Sequence, residues 1–255
     1  MKNYLIKGLH RIGSTTWWPG SDRSGEGDLY GSYSKMAALS EASFCHFLEG
    51  DWELINLVSE ATDVQHVFRQ QFKSIHDIWT AEPCNILYCG SDTLMTKYTD
   101  IFGNYKHFLM FNYTDPKQHE KYPHYLNADI RYYPAEMDKD KFADALVTAT
   151  NANEWAQDQL LYNKMVWDQG LTPEQVIEPK LAYQAQWLPG GPELVQMSND
   201  WNGCDIHDAH IIHWHGSRHA LSKLTIMQSI HDQLGIPATP IRDIKIKTLD
   251  VSHYT

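Results

Sequence analysis

NILYCGSDTLM (residues 85–95) joins a short apolar run to a turn of small and acidic residues. Asn85, Ile86, Leu87 and Tyr88, flanked by Cys84 and Cys89, read as a strand buried on both faces. Gly90, Ser91 and Asp92 break the run, so Asp92 stands just past the carboxyl end of that strand. Working outward, HVFRQQFKSIHDIW (residues 66–79) places Val67, Phe68, Phe72, Ile75 and Ile78 on one helical face, and Pro83 punctuates it. Residues 52–58 read as a strand. Before them, KMAALSEASFCHFLEG (residues 35–50) has Met36, Leu39, Ser43, Phe44 and Phe47 at helical spacing, with Ser34 as the expected cap and Gly50 as the stop. Residues 4–12 alternate loosely, as a first strand does. Strand, helix, strand, helix, strand predicts an α/β domain with a Rossmann-like, mostly parallel central sheet flanked by helices. Ligands in such sheets bind beyond the carboxyl ends of the strands, where Asp92 lies.

The whole chain, residues 1–255, is expected to be a single domain. Hydrophobic residues make up 42%, enough for a sizeable core, which argues against a disordered class. The net charge of −11 disfavours non-specific binding to nucleic acid or to an anionic membrane surface. None of the four cysteines, Cys45, Cys84, Cys89 and Cys204, forms a CxxC pair, so a reduced, cytoplasmic setting is the simpler expectation. No signal peptide is read at MKNYLIKGLHRI, and no window approaches the roughly 20 apolar residues of a membrane-spanning helix.

Between the first strand and first helix lies a polar, glycine-rich stretch, residues 13–32, read as a long loop carrying Trp17 and Trp18. Further on, residues 108–112 and 125–133 read as strands, and residues 153–167 as a helix closed by Gly170. Thr172 and Pro173 make a good helix start. LPGGPE (residues 188–193) is a turn, residues 210–215 a strand, and the remainder a looser tail.

HDAHIIHWHGSRH (residues 207–219) holds five of the chain's 14 histidines. On a strand, side chains alternate, so Ala209, Ile211, His213 and His215 share one face, while His210, Ile212 and Trp214 share the other. At most His213 and His215 converge directly, and His219 returns through the turn after Gly216. A structural role for His213, met by hydrogen bonds, is the alternative to metal ligation. Asp92 has two readings as well: a cation ligand, or a turn aspartate accepting backbone N–H bonds.

Five segments in order are similar to one family. They are ILYCGSDTLM (86–95), YLNADIRYY (125–133), WAQDQLLYN (155–163), DWNG (200–203) and AHIIHWHGSRH (209–219). Together they resemble the nucleotide-diphospho-sugar glycosyltransferases of the A-type fold, especially the retaining family eight, of the glycogenin and bacterial galactosyltransferase type. The resemblance implies a single glycosyltransferase domain, with residues 1–95 as a nucleotide-binding half and residues 96–255 as an acceptor-binding and C-terminal half. By position, Asp92 matches the second acid of the family's acid-any-acid motif, and His213 its metal-binding histidine. Gly216 matches the glycine that lets the diphosphate approach, and His219, beside Arg218, falls at the phosphate-binding lysine. Asn127 matches the asparagine of the second motif; Asp158 and Gln159 match the Asp-Gln pair near the sugar. Four positions depart: Gly90 stands where the first acid belongs, Asp129 where the family has glycine, Leu160 where it has aspartate, and His219 where it has lysine.

What the resemblance implies is transfer of a sugar from a nucleotide-diphospho-sugar to a carbohydrate or other hydroxyl acceptor, retaining and assisted by Mn²⁺ or Mg²⁺. Asp92 and His213 would hold the cation. Asp92, Asn127, Gly216, Arg218 and His219 would hold the donor, and Asp129, Asp158 and Gln159 would serve the sugar side. Negative charge grows on the leaving diphosphate, and a cation with oriented donors stabilises it. Retention needs no strong general base; inversion would, with Asp129 first and Asp158 second. The loss of an acid at Gly90 leaves weaker metal binding, a substitute ligand or metal-independent catalysis open. Two other classes also stand: a non-catalytic nucleotide- or sugar-binding module on a degenerate transferase fold, and a metal-dependent hydrolase built on HWHGSRH, whose HxH spacing suits Zn²⁺.

Overall fold

A computed structural model describes residues 1–12, 28–104, 126, 128–152, 158–176, 182–187, 194–196, 209–215, 220–237 and 242–254. The chain opens with β1 (Lys2–Ile12), α1 (Leu29–Phe47), β2 (Glu53–Ala61), α2 (Val64–Ala81) and β3 (Cys84–Cys89), the alternation expected. These three strands are parallel, with β1 between β3 and β2. The sheet is completed by β5 (Ile130–Tyr133), antiparallel to β3, and by β9 (Ile246–Asp250), parallel to β2, giving the order β5-β3-β1-β2-β9.

Alternation along the strands sorts the core into two faces. Tyr4, Ile6, Ile55, Leu57, Ile86 and Tyr88 face α2, α4 (Lys139–Ala152) and α5 (Asp158–Trp167), packing on Phe72, Trp79, Phe142 and Tyr162. Leu5, Leu54, Leu87 and Ile130 face the other way, onto Phe44 and Phe47 of α1. Helices on both faces of a mostly parallel sheet are the architecture the alternation predicts.

A second sheet, of order β4-β8-β6-β7, is built from β4 (Thr93–Met95), β6 (Ala182–Trp187), β7 (Leu194–Gln196) and β8 (Ile211–His215). β4 follows β3 after one turn and pairs antiparallel with β8, with Thr93 opposite His213. Two short helices, α3 (Ile101–Asn104) and α6 (Pro173–Val176), complete the described elements together with α7 (Ala220–Gln233).

Several local expectations need correction. α1 starts at Leu29, before the expected cap Ser34, because the Asp28 carboxylate accepts the Gly31 N–H at 2.9 Å and caps the helix there. The strand expected over 125–133 is shorter: β5 begins at Ile130, and Ala128 and Asp129 form a bend before it. The looser tail expected after residue 215 contains α7 and β9, and α4 precedes the helix that was read at 153–167. Pro173 does open α6, and Gly170 adopts the left-handed conformation, φ +77°, that closes α5's last turn. Cys45, Cys84 and Cys89 are buried free thiols, and no helix among the described residues is long and apolar enough to cross a membrane. The strand expected at 108–112, the turn at 188–193, the DWNG segment at 200–203, and Trp17 and Trp18 lie outside the described residues.

Candidate metal centre

The turn after β3 is held from two sides by backbone bonds. Gly90 N donates to Asp129 O at 2.7 Å, and Trp214 N donates to Asp92 O at 3.1 Å. Three distant segments, the β3–β4 turn, the bend before β5, and β8, therefore meet at one point. They bring Asp92, Asp129 and His213 together, with one ligand atom from each lying within 4.8 Å of the others. His213 Nε2 is 3.1 Å from Asp129 Oδ2 and 3.7 Å from Asp92 Oδ1. His213 and Asp92 are buried, whereas the Asp129 side chain is 39% exposed, so the cluster opens on the Asp129 side. As an N–H, His213 Nε2 donates to Asp129; as a lone pair it is a ligand, with the ring proton on Nδ1.

Gly90 explains how Asp129 reaches the cluster. A Cβ at position 90 would lie 3.2 Å from Asp92 Oδ1 and 3.3 Å from Asp129 Oδ1. The space in front of Gly90 is thus taken by the Asp129 carboxylate. Asp129 thus brings a carboxylate beside position 90 from a separate segment. Two carboxylate oxygens and one imidazole nitrogen suit an oxygen-preferring divalent ion, and Mn²⁺ accepts the imidazole well.

Two buried lysines flank the same turn. Lys223, on α7, places Nζ 2.6 Å from Asp92 Oδ2. Burial works against its ammonium most strongly, but the Asp92 charge, Tyr33, the hydrogen bond to Asp92 and the Asp129 charge together outweigh it, and the Lys223 pKa is raised. Lys7, on β1, donates to Gly90 O at 3.0 Å, to Thr93 Oγ1 at 3.3 Å, and to Ser40 Oγ. Among the described residues no carboxylate bonds it, and burial pushes its pKa down to about 8. From α1, Ser43 accepts the Met95 N–H, so that helix also fixes β4.

The expected residues divide as follows. Asp92 and His213 lie together, as a cation site needs. Asp129, expected beside the sugar, lies with them instead, and its partner is His213. Gln159 sits on α5 one turn before Asn163, whose buried side chain grips both backbone groups of Leu126 at 2.8 Å. Asp158 is described by its backbone only, as the first residue of α5. Asn127, Gly216, Arg218 and His219 lie outside the described residues, and nothing is described of the His215 side chain. His210 bonds the Thr99 hydroxyl, a structural contact. Trp214, fully buried, is packed in an apolar cluster with Leu94 and Met227.

No family model matches the chain, and none of the curated proteins matches it.

Sequence reasoning missed Lys7, Lys223 and Asn163. Two of them carried a signal. Lys7 lies between Leu5 and Leu9 on the inward face of an alternating strand, and Lys223 precedes Met227 and His231 by one and two helical turns. A lysine in register with buried positions marks a charge that must find a partner.

Proposed function

We propose that this protein is a glycosyltransferase that moves a sugar from a nucleotide-diphospho-sugar to an acceptor hydroxyl. In this reading Asp92, Asp129 and His213 hold a divalent cation. The observation that carries it is the Asp-Asp-His cluster at the carboxyl end of a mostly parallel sheet, on three of the segments whose motifs resemble the transferases. A bound Mn²⁺ or Mg²⁺ would supply positive charge to the oxygens of the departing diphosphate. Asp92 is oriented by Lys223, so one oxygen faces the ammonium and the other faces His213. Asp129 leans on His213 and is thereby committed to the cation side. This supports a retaining course, because the acid first in line as a general base is engaged elsewhere. Asp158 and Gln159, at the start of α5, remain the candidates for the sugar.

One observation favours a second reading, a nucleotide-binding module without turnover: the Lys223 ammonium already neutralises Asp92. The zinc hydrolase reading has less support, since the described donors include a single imidazole and two carboxylates.

The test is a thermal-shift screen of nucleoside diphosphates and nucleotide-sugars, with and without Mn²⁺, followed by assay of the nucleotide-sugar that binds. The proposal expects one nucleoside diphosphate to raise the melting midpoint, more so with Mn²⁺, and the gain to vanish in Asp129→Asn and His213→Ala. Binding without turnover of any nucleotide-sugar would favour the module. No response to any nucleotide would end both readings.

A further inference from the structure

Resting on that metal-site reading, we infer that Lys223 makes cation binding conditional on a diphosphate: the centre takes a divalent cation together with a diphosphate group, and holds the cation poorly by itself.

The argument is one of charge and geometry. Asp92 and Asp129 bring two negative charges, and a ligating His213 is neutral. Lys223 Nζ sits 2.6 Å from Asp92 Oδ2, and the residue is only 4% exposed, on the inward face of α7 with Met227 and His231. An ammonium so enclosed cannot swing out into solvent when a cation arrives. Half of the carboxylate charge is therefore neutralised in advance. Lys7 adds a second ammonium beneath the same turn, bonded to Gly90 O at 3.0 Å and, among the described residues, to no carboxylate. A lone divalent ion would enter a cluster whose contacting groups sum to one negative charge, facing an ammonium across a single carboxylate. In a buried setting that repulsion is poorly screened.

A diphosphate reverses the balance. It brings negative charge and further oxygen ligands through the open side, where Asp129 is exposed. Lys223 then stands behind a cation–diphosphate unit whose net charge is no longer positive, and its ammonium ceases to oppose binding. The cation would consequently enter with the donor and leave with the diphosphate product.

The test measures binding, not activity. Mn²⁺ affinity is read by electron paramagnetic resonance of the free ion, first with Mn²⁺ alone and then with the Mn²⁺ complex of inorganic pyrophosphate. Wild type should bind the complex at least about tenfold more tightly than Mn²⁺ alone. Lys223→Met should tighten Mn²⁺ alone by about tenfold and narrow that gap, while Lys223→Arg keeps it. Equal affinities in the wild type overturn the inference without any variant. So does a Lys223→Met protein, folded by circular dichroism, whose Mn²⁺ affinity is unchanged or weaker. Asp92→Asn and Asp129→Asn separate the two levels. If neither weakens binding of the complex, the metal-site reading fails and takes the inference with it. If both weaken it while Lys223→Met changes nothing, the inference alone falls.

Discussion

Lys7 and Lys223 reach the same turn from different elements, β1 and α7, are equally buried, and behave in opposite ways. Lys223 meets the Asp92 carboxylate, and its charge is held firmly. Lys7 meets a carbonyl and two hydroxyls, and burial makes its charge easy to lose. Desolvation acts on both; the partner decides the outcome. One lysine is half of an ion pair in which each charge justifies the other. Its counterpart is a donor within a network of neutral groups that can close without it.

That contrast can be broken most forcefully at Asp92. Asp92→Ala leaves the Lys223 ammonium buried and uncompensated, and should cost about 3–5 kcal/mol in urea unfolding. Adding Lys223→Met should return much of that loss, because the pair would then be absent from both sides. If the double variant is no more stable than Asp92→Ala, the pair is not the unit described.

A smaller effect is expected at Gly90. Gly90→Ala puts a methyl 3.2 Å from Asp92 Oδ1 and 3.3 Å from Asp129 Oδ1, tighter than ordinary contact. About 1–3 kcal/mol of stability should be lost in the same urea experiment. In an Asp129→Gly background the loss should shrink, since the crowding carboxylate is gone. An undiminished loss there would mean that Asp129 does not fill the space before Gly90.

The smallest change belongs to Lys7. Thr93 Oγ1 also donates to Gly90 O at 2.8 Å and lies 3.1 Å from Ser40 Oγ, so Lys7→Met leaves its acceptors partnered among themselves. Lys7→Met also removes the buried-charge penalty, so stability at pH 7 should not fall. The pH profile distinguishes the two lysines more sharply. Lys7 has its pKa near 8 when folded, against 10.5 for the free group, so the unfolded chain holds its proton more tightly. Stability linked to Lys7 therefore rises between pH 8 and 10.5, and the burial penalty is fully present below pH 8. Melting curves of Lys7→Met should lack that rise.

The alternating half of the fold was legible because each element there satisfies a local rule. The apolar run at 86–88, the helical faces of α1 and α2, and Pro173 at the start of α6 need no knowledge of distant residues. β5 was over-extended because a tyrosine-rich stretch reads as strand, whereas Asp129 is turned aside by the Gly90 N–H and by His213. α7 and β9 were missed because their partners, α1 and β2, lie far away in the chain. The site was half legible. Asp92 and His213 were found through their motifs, but the meeting of Asp129 with Gly90 is a relation between two loops that neither states alone. Lys223 was visible only as a charge in the wrong register.

The placement of β9 governs how the sheet is assembled in time. β2 lies between β1 and β9, and just past β9 the Ser252 hydroxyl accepts from Glu60 N, 192 residues away in the chain. A growing polypeptide can form β1, β2 and β3 early, but one flank of β2 stays open until nearly all of the described chain has emerged. Pairings of such long range are slow to close. Over that interval β2 presents unpaired N–H and C=O groups, a template for pairing with other chains. β9 thus acts as the clasp of the five-stranded sheet, and truncations that remove it should show themselves first as aggregation during refolding.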